Sequence, residues 1–104
     1  MSLSIRVHRH GGYVIVAICD KELLGKTLVH GDLHLRFDAE FFGGDEVDAD
    51  NVDAIAERIA DADSITAFGE KACKALQRIY PSVSDAVVRV GGIPHVQVFK
   101  TIVE

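Results

Sequence analysis

The segment Gly91–His95 carries residue types that can bind an anion. Two adjacent glycines can turn successive backbone N–H groups toward one point, and a histidine beside them can gain or lose a proton near neutral pH. The segment therefore indicates a site for a phosphate or carboxylate ligand. Its candidate ligand-binding residues are Gly91, Gly92, Pro94, His95 and Gln97. The alternative is a turn in which the glycines and the proline only set the backbone geometry and the histidine bonds to the backbone.

A second candidate anion site is the predicted start of a helix at Gly69, Glu70 and Lys71. The free N–H groups of a first helical turn and the positive end of the helix dipole attract anions, and Lys71 adds positive charge. Glu70 in the same turn would repel a phosphate and serve the dipole itself, which favours a plain capping role. If both glycine segments line one pocket, an enzyme or ligand sensor with Glu70 or Asp20 as its acid or base is a further hypothesis.

Basic and imidazole side chains alternate with apolar residues in two segments of the chain. Arg6, His8 and His10 share one face of a predicted strand, and His34 and Arg36 share one face of another. If the fold brings these strands together, the five residues form a patch that can contact RNA phosphates.

The aromatic residues argue against RNA binding. RNA-recognition modules stack bases on exposed rings. Here Phe37, Phe68 and Phe99 lie in apolar patterns, and Tyr13 begins a predicted buried strand.

Charge is distributed unevenly along the 104 residues, which hold 11 Lys and Arg against 16 Asp and Glu, a net charge of −5. Residues 38 to 63 hold ten acids and one base, so that quarter carries −9 and the remainder +4, with all five histidines. This split predicts a bipolar surface, although an ordinary charge-mixed surface is the alternative. The acidic residues Asp53, Glu57 and Asp61 fall at helical spacing and could dock a basic protein partner.

Other chemistries have no matching pattern. No CxxC, HExxH, phosphate-loop or G-x-S-x-G motif occurs, and the acidic segment lacks the glycine and closing glutamate of a calcium loop. Pairs of histidines such as His8 with His10 are typical of solvated strand faces. Cys19 and Cys73 lie in apolar runs and are expected to be reduced core residues. We therefore expect no metal and no cofactor.

The periodicity predicts the elements that position these residues. Strands are expected at 3–7, 13–19, 33–37, 64–68, 86–90 and 96–103, and the acidic segment before Asp50 is expected to be a loop or a short edge strand at 46–48. One helix is expected at 51–62, capped by Asp50 with Asp53 in a capping box, and another at 70–80 before Pro81. Asp20 is expected to cap a single helical turn at 21–24. Residues 64–90 read as strand, helix, strand, which predicts a right-handed crossover between parallel strands.

Length and composition fit one compact domain spanning residues 1–104, because 48% of the residues are hydrophobic and only 2 are proline. The longest apolar run, 13–19, is far shorter than a membrane span, and no signal segment is visible, so a soluble cytoplasmic protein without a membrane partner is expected.

The run Gly91 to Gln97 resembles the C-terminal signature of a family of small archaeal proteins known as domain of unknown function 424. The resemblance extends to three further matches, which span nearly the whole chain: Asp20, Glu22, Leu23, Leu24, Gly25 and Lys26; Phe41, Gly43 and Gly44; and Gly69, Glu70 and Ala72. It implies an archaeal source and an α+β fold, a two-layer α/β sandwich in which two main helices cover one face of a mixed sheet. It supplies no catalytic residues.

The leading interpretation is a non-enzymatic binding domain with an RNA or ribonucleoprotein partner in archaeal translation or RNA processing. The alternatives are a small-molecule-binding protein or enzyme that uses the Gly91–His95 turn, and a protein adaptor that uses the acidic helix.

Overall fold

The computed structural model describes residues 1–100, which form a mixed α+β fold around a six-stranded sheet. The strands of this sheet are β1 (Ser2–His10), β2 (Tyr13–Asp20), β5 (Asp45–Asp48), β6 (Ser64–Phe68), β7 (Val88–Val90) and β8 (Ile93–Phe99). A separate hairpin consists of β3 (Thr27–His30) and β4 (Leu33–Arg36). The strand order is β5-β1-β2-β6-β8-β7, and among the described residues of this sheet only β2 and β6 pair in parallel.

In the described part of the chain three α-helices join these strands: α1 (Ala39–Phe42), α2 (Val52–Ile59) and α3 (Glu70–Ile79). Two 3₁₀ segments lie at Lys21–Leu23 and Pro81–Ala86. No helix within residues 1–100 is long and apolar enough to cross a membrane.

The two main helices pack on one face of the sheet. Ile55 and Ile59 of α2 and Leu76 of α3 are fully buried against β-strand residues such as Val16 and Ile65. These side chains recur at helical and strand periods respectively, so each element buries one face. The predicted arrangement of two helices on one face of a mixed sheet is confirmed.

A smaller cover, which the sequence did not predict, lies on the opposite face. Strand β3 and helix α1 were both missed, and together with β4 they bring Leu28, Phe37 and Phe42 onto Cys19 and Phe68 of the main sheet. Elements of four residues carry too little periodic signal to be recognised from a single sequence. The cover extends over only part of this face.

The crossover at residues 64–90 differs from its prediction. Strands β6 and β7 point in the same direction, because each is antiparallel to β8, but they are not neighbours. Strand β8 lies between them. The last strand begins at Ile93 rather than at residue 96, and the predicted residues 101–103 of that strand lie outside the described part of the chain.

Two of the predicted helix caps were wrong. Helix α2 is capped by Asn51, whose side chain accepts a hydrogen bond from the Ala54 N–H, so Asp50 and the capping box with Asp53 are not used, and α2 ends at Ile59 rather than near Ala62. The 3₁₀ segment after β2 has no side-chain cap. The Asp20 carboxylate instead accepts from the first turn of α3.

Candidate functional site

Strand register places sixteen side chains of the four central strands on the face of the sheet opposite α2 and α3. They are Ser2, Ser4, Arg6, His8 and His10; Tyr13, Ile15, Ala17 and Cys19; Ser64, Thr66 and Phe68; and Ile93, His95, Gln97 and Phe99. None of the sixteen is an aspartate or glutamate, in a chain that holds 16 of them. This face therefore presents no negative side chain from its central strands.

Half of this face is closed by the small cover. Ala17, Cys19 and Phe68 are buried beneath Phe37 and Phe42. The Phe37 ring packs edge to face on the rings of Phe42 and Phe68, and its centroid lies 5.3 and 5.2 Å from theirs, respectively. We call this region the closed half.

The other half, at the end of the sheet where β2 begins and β8 finishes, is open. Tyr13 is 47% exposed and Phe99 is 67% exposed, while Ile15, Thr66 and Gln97 are half-buried between them. The prediction that Tyr13 and Phe99 are buried was wrong, because the small cover does not extend over this end. We call this region the open half.

The rim of the open half along β1 is polar and bonded to α1. The Arg6 guanidinium donates to the Gly43 carbonyl at 2.9 Å. His8 donates through Nε2 to the Phe41 carbonyl at 2.9 Å, and its ring stacks on the Phe41 ring at 4.8 Å. His10 is exposed at the end of the same strand, beside Tyr13.

The structure divides the five predicted nucleic-acid-binding residues into two groups. Arg6, His8 and His10 share the open face, as the alternation predicted. His34 and Arg36 are exposed on β4, which belongs to the separate hairpin and pairs with β3. Strand pairing does not place the two groups side by side.

The two glycine segments come together at the closed end of the sheet. The Gly69 N–H donates to the Pro94 carbonyl at 2.8 Å. Arg89 joins the segments, since its guanidinium donates to the Gly92 carbonyl and the Glu70 carboxylate, each at 2.9 Å. The Gly91 N–H donates to Nδ1 of His30 on the hairpin at 2.8 Å. Many of the polar groups predicted to meet a ligand thus bond to each other.

His95 is likewise held internally. It donates through Nδ1 to the Ala67 carbonyl at 2.9 Å and stacks on Phe68 with ring centroids 4.0 Å apart. Gln97, predicted to bind the same ligand, lies two residues farther along β8 and reaches the open half instead.

Asp20 occupies the N-terminus of α3. Its carboxylate accepts from the Ala72 N–H at 2.8 Å and from the Lys71 N–H at 3.2 Å, and the residue is only 5% exposed. Burial raises the pKa of this carboxyl above 3.8, although the two amide hydrogen bonds oppose that shift. Gly69 allows the approach, because a Cβ there would lie 2.3 to 2.6 Å from the Asp20 carboxylate atoms. The backbone amides that were predicted to bind a ligand anion therefore bind the Asp20 carboxylate.

A shallow groove of about 340 Å³ runs along the exposed side of α3. Its lining residues are Met1, Ala49, Asp50, Glu70, Lys71, Lys74, Ala75 and Arg78. Most of its charges are paired: Lys71 with Glu22, Arg78 with Asp50, and Glu70 with Arg89. The groove therefore has little uncompensated charge for a ligand.

The acidic surface lies apart from the open half. Asp53, Glu57 and Asp61 are exposed on and just after α2, which packs on the other face of the sheet. Arg58 of the same helix pairs with Asp45 at the sheet edge.

The two cysteines are free and buried, as predicted, and they lie on opposite faces of the sheet. Burial raises the pKa of the Cys19 thiol to about 12 and that of the Cys73 thiol to about 11, so both stay protonated and poorly nucleophilic at neutral pH. Within residues 1–100 no three His, Cys, Asp or Glu side chains converge to hold a metal ion.

The fold and the surface together define a small α+β protein. Helices cover one face of its sheet, and half of the opposite face is exposed. The sequence model of the family described as "Protein of unknown function (DUF424)" matches residues 8–101, so the chain belongs to this family. The predicted resemblance is thereby confirmed.

A solved structure supports the same fold. It is described as the crystal structure of an uncharacterized conserved protein from Methanopyrus kandleri, an archaeon, and is 26% identical in sequence with a TM-score of 0.84. The match covers 100% of this chain and 99% of that one. No curated protein matches the sequence.

Proposed function

We propose that this protein binds single-stranded RNA on the open half of its sheet. The observation that carries the proposal is the exposure of two aromatic rings, Tyr13 and Phe99, on a face whose central strands present no carboxylate. An exposed sheet with aromatic rings is a recurring surface for unpaired bases, which stack on the rings while phosphates contact basic groups.

The spacing of the rings suits a short unpaired strand. Tyr13 and Phe99 are two strands apart and offset by two residues along the strand direction. Strand geometry places their backbones about 12 Å apart. Sheet platforms of this kind take two or three bases. Phe41, which is 36% exposed beside His8, offers a third ring at the rim.

The charge layout is compatible with a nucleic acid despite the net charge of −5. Arg6, His8 and His10 line one side of the open half, and the acidic residues of α2 lie on the other face of the sheet. Because few basic groups can contact phosphates, base stacking should contribute more to the affinity than phosphate contacts do. The affinity should therefore fall only slightly as the salt concentration rises. The identity of the bound RNA would distinguish a role in translation from a role in RNA processing.

The test is a titration of fluorescently labelled hexanucleotide RNA of mixed sequence, and of the same sequence as a duplex, at two salt concentrations. The variants are Tyr13→Ala, Phe99→Ala and their combination. Val29→Ala and Leu33→Ala are matched controls, because these side chains are 55% and 48% exposed on the separate hairpin. Arg6→Met and Arg36→Met compare the sheet with the hairpin as the source of phosphate contacts.

We expect the single strand to bind more tightly than the duplex, and each aromatic substitution to weaken binding about tenfold, the scale of one base-aromatic stack. The hairpin variants should bind like the wild type. Equal binding by the Tyr13/Phe99 double variant and the wild type would refute the proposal, as would tighter binding of the duplex. A larger loss with Arg36→Met than with Arg6→Met would assign the phosphate contacts to the hairpin and contradict the platform.

A further inference from the structure

A hydrogen-bonded pair of polar side chains lies inside the open half. Thr66 on β6 and Gln97 on β8 are directly opposite in the antiparallel register. The Thr66 hydroxyl donates to Oε1 of Gln97 at 2.7 Å, and both residues are half-buried. Gln97 follows His95 and precedes Phe99 on the same face, so its carboxamide lies next to the more exposed of the two rings.

In the structure the Thr66 hydroxyl bonds to the oxygen end of the Gln97 carboxamide. With Oε1 turned toward Thr66, the Nε2 amino group is directed away from that contact. Among the described residues no buried side-chain nitrogen or oxygen lacks a hydrogen-bond partner, and Thr66 is the side chain that bonds to this carboxamide.

An amino group held in this way has two N–H donors and no acceptor. A base stacked on Phe99 would present the edge of its ring to these donors. Uracil offers carbonyl oxygens at both positions that flank its ring N–H, so an N–H donor meets a carbonyl on either side of that group. Adenine offers one acceptor on the corresponding edge, the ring nitrogen N1, beside an amino group that is itself a donor. An adenine at this position therefore brings a donor against the Gln97 amino group, which is costly for partly buried groups.

We propose that Gln97, oriented by Thr66, makes the open half select bases with carbonyl acceptors, uracil above all, over adenine. This inference rests on the proposed RNA binding and adds a base preference to it. Gln97 is the specificity-determining residue, and Thr66 is a positioning residue that acts through it.

The test measures the ratio of affinities for hexauridine and hexaadenosine RNA, for the wild type and two near-isosteric variants. Gln97→Glu keeps an acceptor for the Thr66 hydroxyl but removes both donors. Thr66→Val keeps the shape but frees the carboxamide to rotate. Comparing ratios between variants cancels the self-stacking of the adenosine strand, which is the same in every titration.

We expect wild type to favour hexauridine about three- to tenfold, the scale of one hydrogen bond. Gln97→Glu should reverse that ratio, because a carboxylate repels carbonyl oxygens and accepts from the adenine amino group, while its charge weakens both strands equally. Thr66→Val should bring the ratio of hexauridine to hexaadenosine affinity toward one. It should reduce the affinity for hexauridine by less than Phe99→Ala does.

The two levels of the proposal fail differently. If Gln97→Glu binds both strands with the same affinity ratio as the wild type, the base preference is refuted but the proposed RNA binding is not. A wild type that binds neither hexamer, or a Tyr13/Phe99 double variant that binds as well as the wild type, would overturn both. Thermal unfolding of each variant checks that it is folded.

Discussion

The closed and open halves of one sheet face differ although the same strands form both. On β6 and β8, Phe68 and His95 lie in the closed half, stacked on each other with Phe68 beneath Phe37. Two to four residues farther along, Gln97 and Phe99 lie in the open half. The difference arises from the chain between β2 and β5, which folds back over only one half. Burial on a strand is therefore decided by what covers it as much as by the pattern of the strand itself.

The largest expected contrast is between two phenylalanines. Phe37 is fully buried in the closed half, and Phe99 is 67% exposed in the open half. Phe37→Ala should lower the free energy of unfolding by about 3–5 kcal/mol, because it leaves a cavity among packed rings. Phe99→Ala should change it by about 0.5 kcal/mol. Chemical unfolding measures both, and similar losses would show that the open half is packed.

Two glycines provide the next contrast. Gly69 has φ +115° and no room for a Cβ beside the Asp20 carboxylate, whereas Gly12 has φ +86° and nothing within 4 Å of a Cβ. Gly69→Ala should cost about 3 kcal/mol from backbone strain and displacement of the carboxylate. Gly12→Ala should cost about 1–2 kcal/mol from strain alone. Equal costs in urea unfolding would contradict the close approach at Gly69.

Removing the Asp20 carboxylate tests the hydrogen bonding of the closed end. Asp20→Ala leaves the Lys71 and Ala72 amides without their acceptor, and Ala72 is fully buried. We expect a loss of about 1–3 kcal/mol in the free energy of unfolding. Asp53→Ala is the control, because that carboxylate is exposed in the first turn of α2. An equal effect of both substitutions would argue against a special role of Asp20.

The pH dependence of stability tests the same carboxyl more finely. Its pKa is raised in the folded protein, so the folded state holds the proton more tightly than the unfolded state. The contribution of Asp20 to stability is therefore fully present below pH 3.8 and declines as the pH rises through the folded pKa. Asp20→Asn should lack this decline. Parallel unfolding curves from pH 3 to 7 compare the two proteins, and a steeper decline in the variant would reverse the assignment.

The smallest effect is expected at Arg6, on the border between the halves. Its guanidinium bonds to the Gly43 carbonyl at an exposed position. Arg6→Met should change the free energy of unfolding by less than about 1 kcal/mol. It should weaken RNA binding and lower the slope of log affinity against log salt concentration by about 1. A loss of stability as large as that of Gly69→Ala would assign Arg6 to the closed half.

Long periodic elements could be predicted from the sequence, because their apolar spacing and end signals agree. Strand β6 has its predicted bounds, and α3 begins at Glu70 after Gly69 and ends one residue earlier than predicted, before Pro81. The placement of Arg6, His8 and His10 on one face also followed from alternation along β1.

Contacts between distant segments could not be predicted in this way. The exposure of Tyr13 and Phe99 depends on where α1 and the hairpin come to rest, which no local pattern encodes. The pairing of Thr66 with Gln97 depends on the β6–β8 register, since the two residues are 31 positions apart. The residue type of Asp20 predicts a cap, but the sequence points to the adjacent 3₁₀ turn, whereas the carboxylate bonds to the first turn of α3.

The Asp20 cap also bears on the order in which the chain folds. Its bond to Ala72 joins residues 52 positions apart, so that large loop must close before the first turn of α3 gains its acceptor. A ten-residue helix is too short to be stable alone. Helix α3 should therefore become stable only once β2 and β6 lie side by side. Loss of the carboxylate should then speed unfolding and leave the rate of folding nearly unchanged.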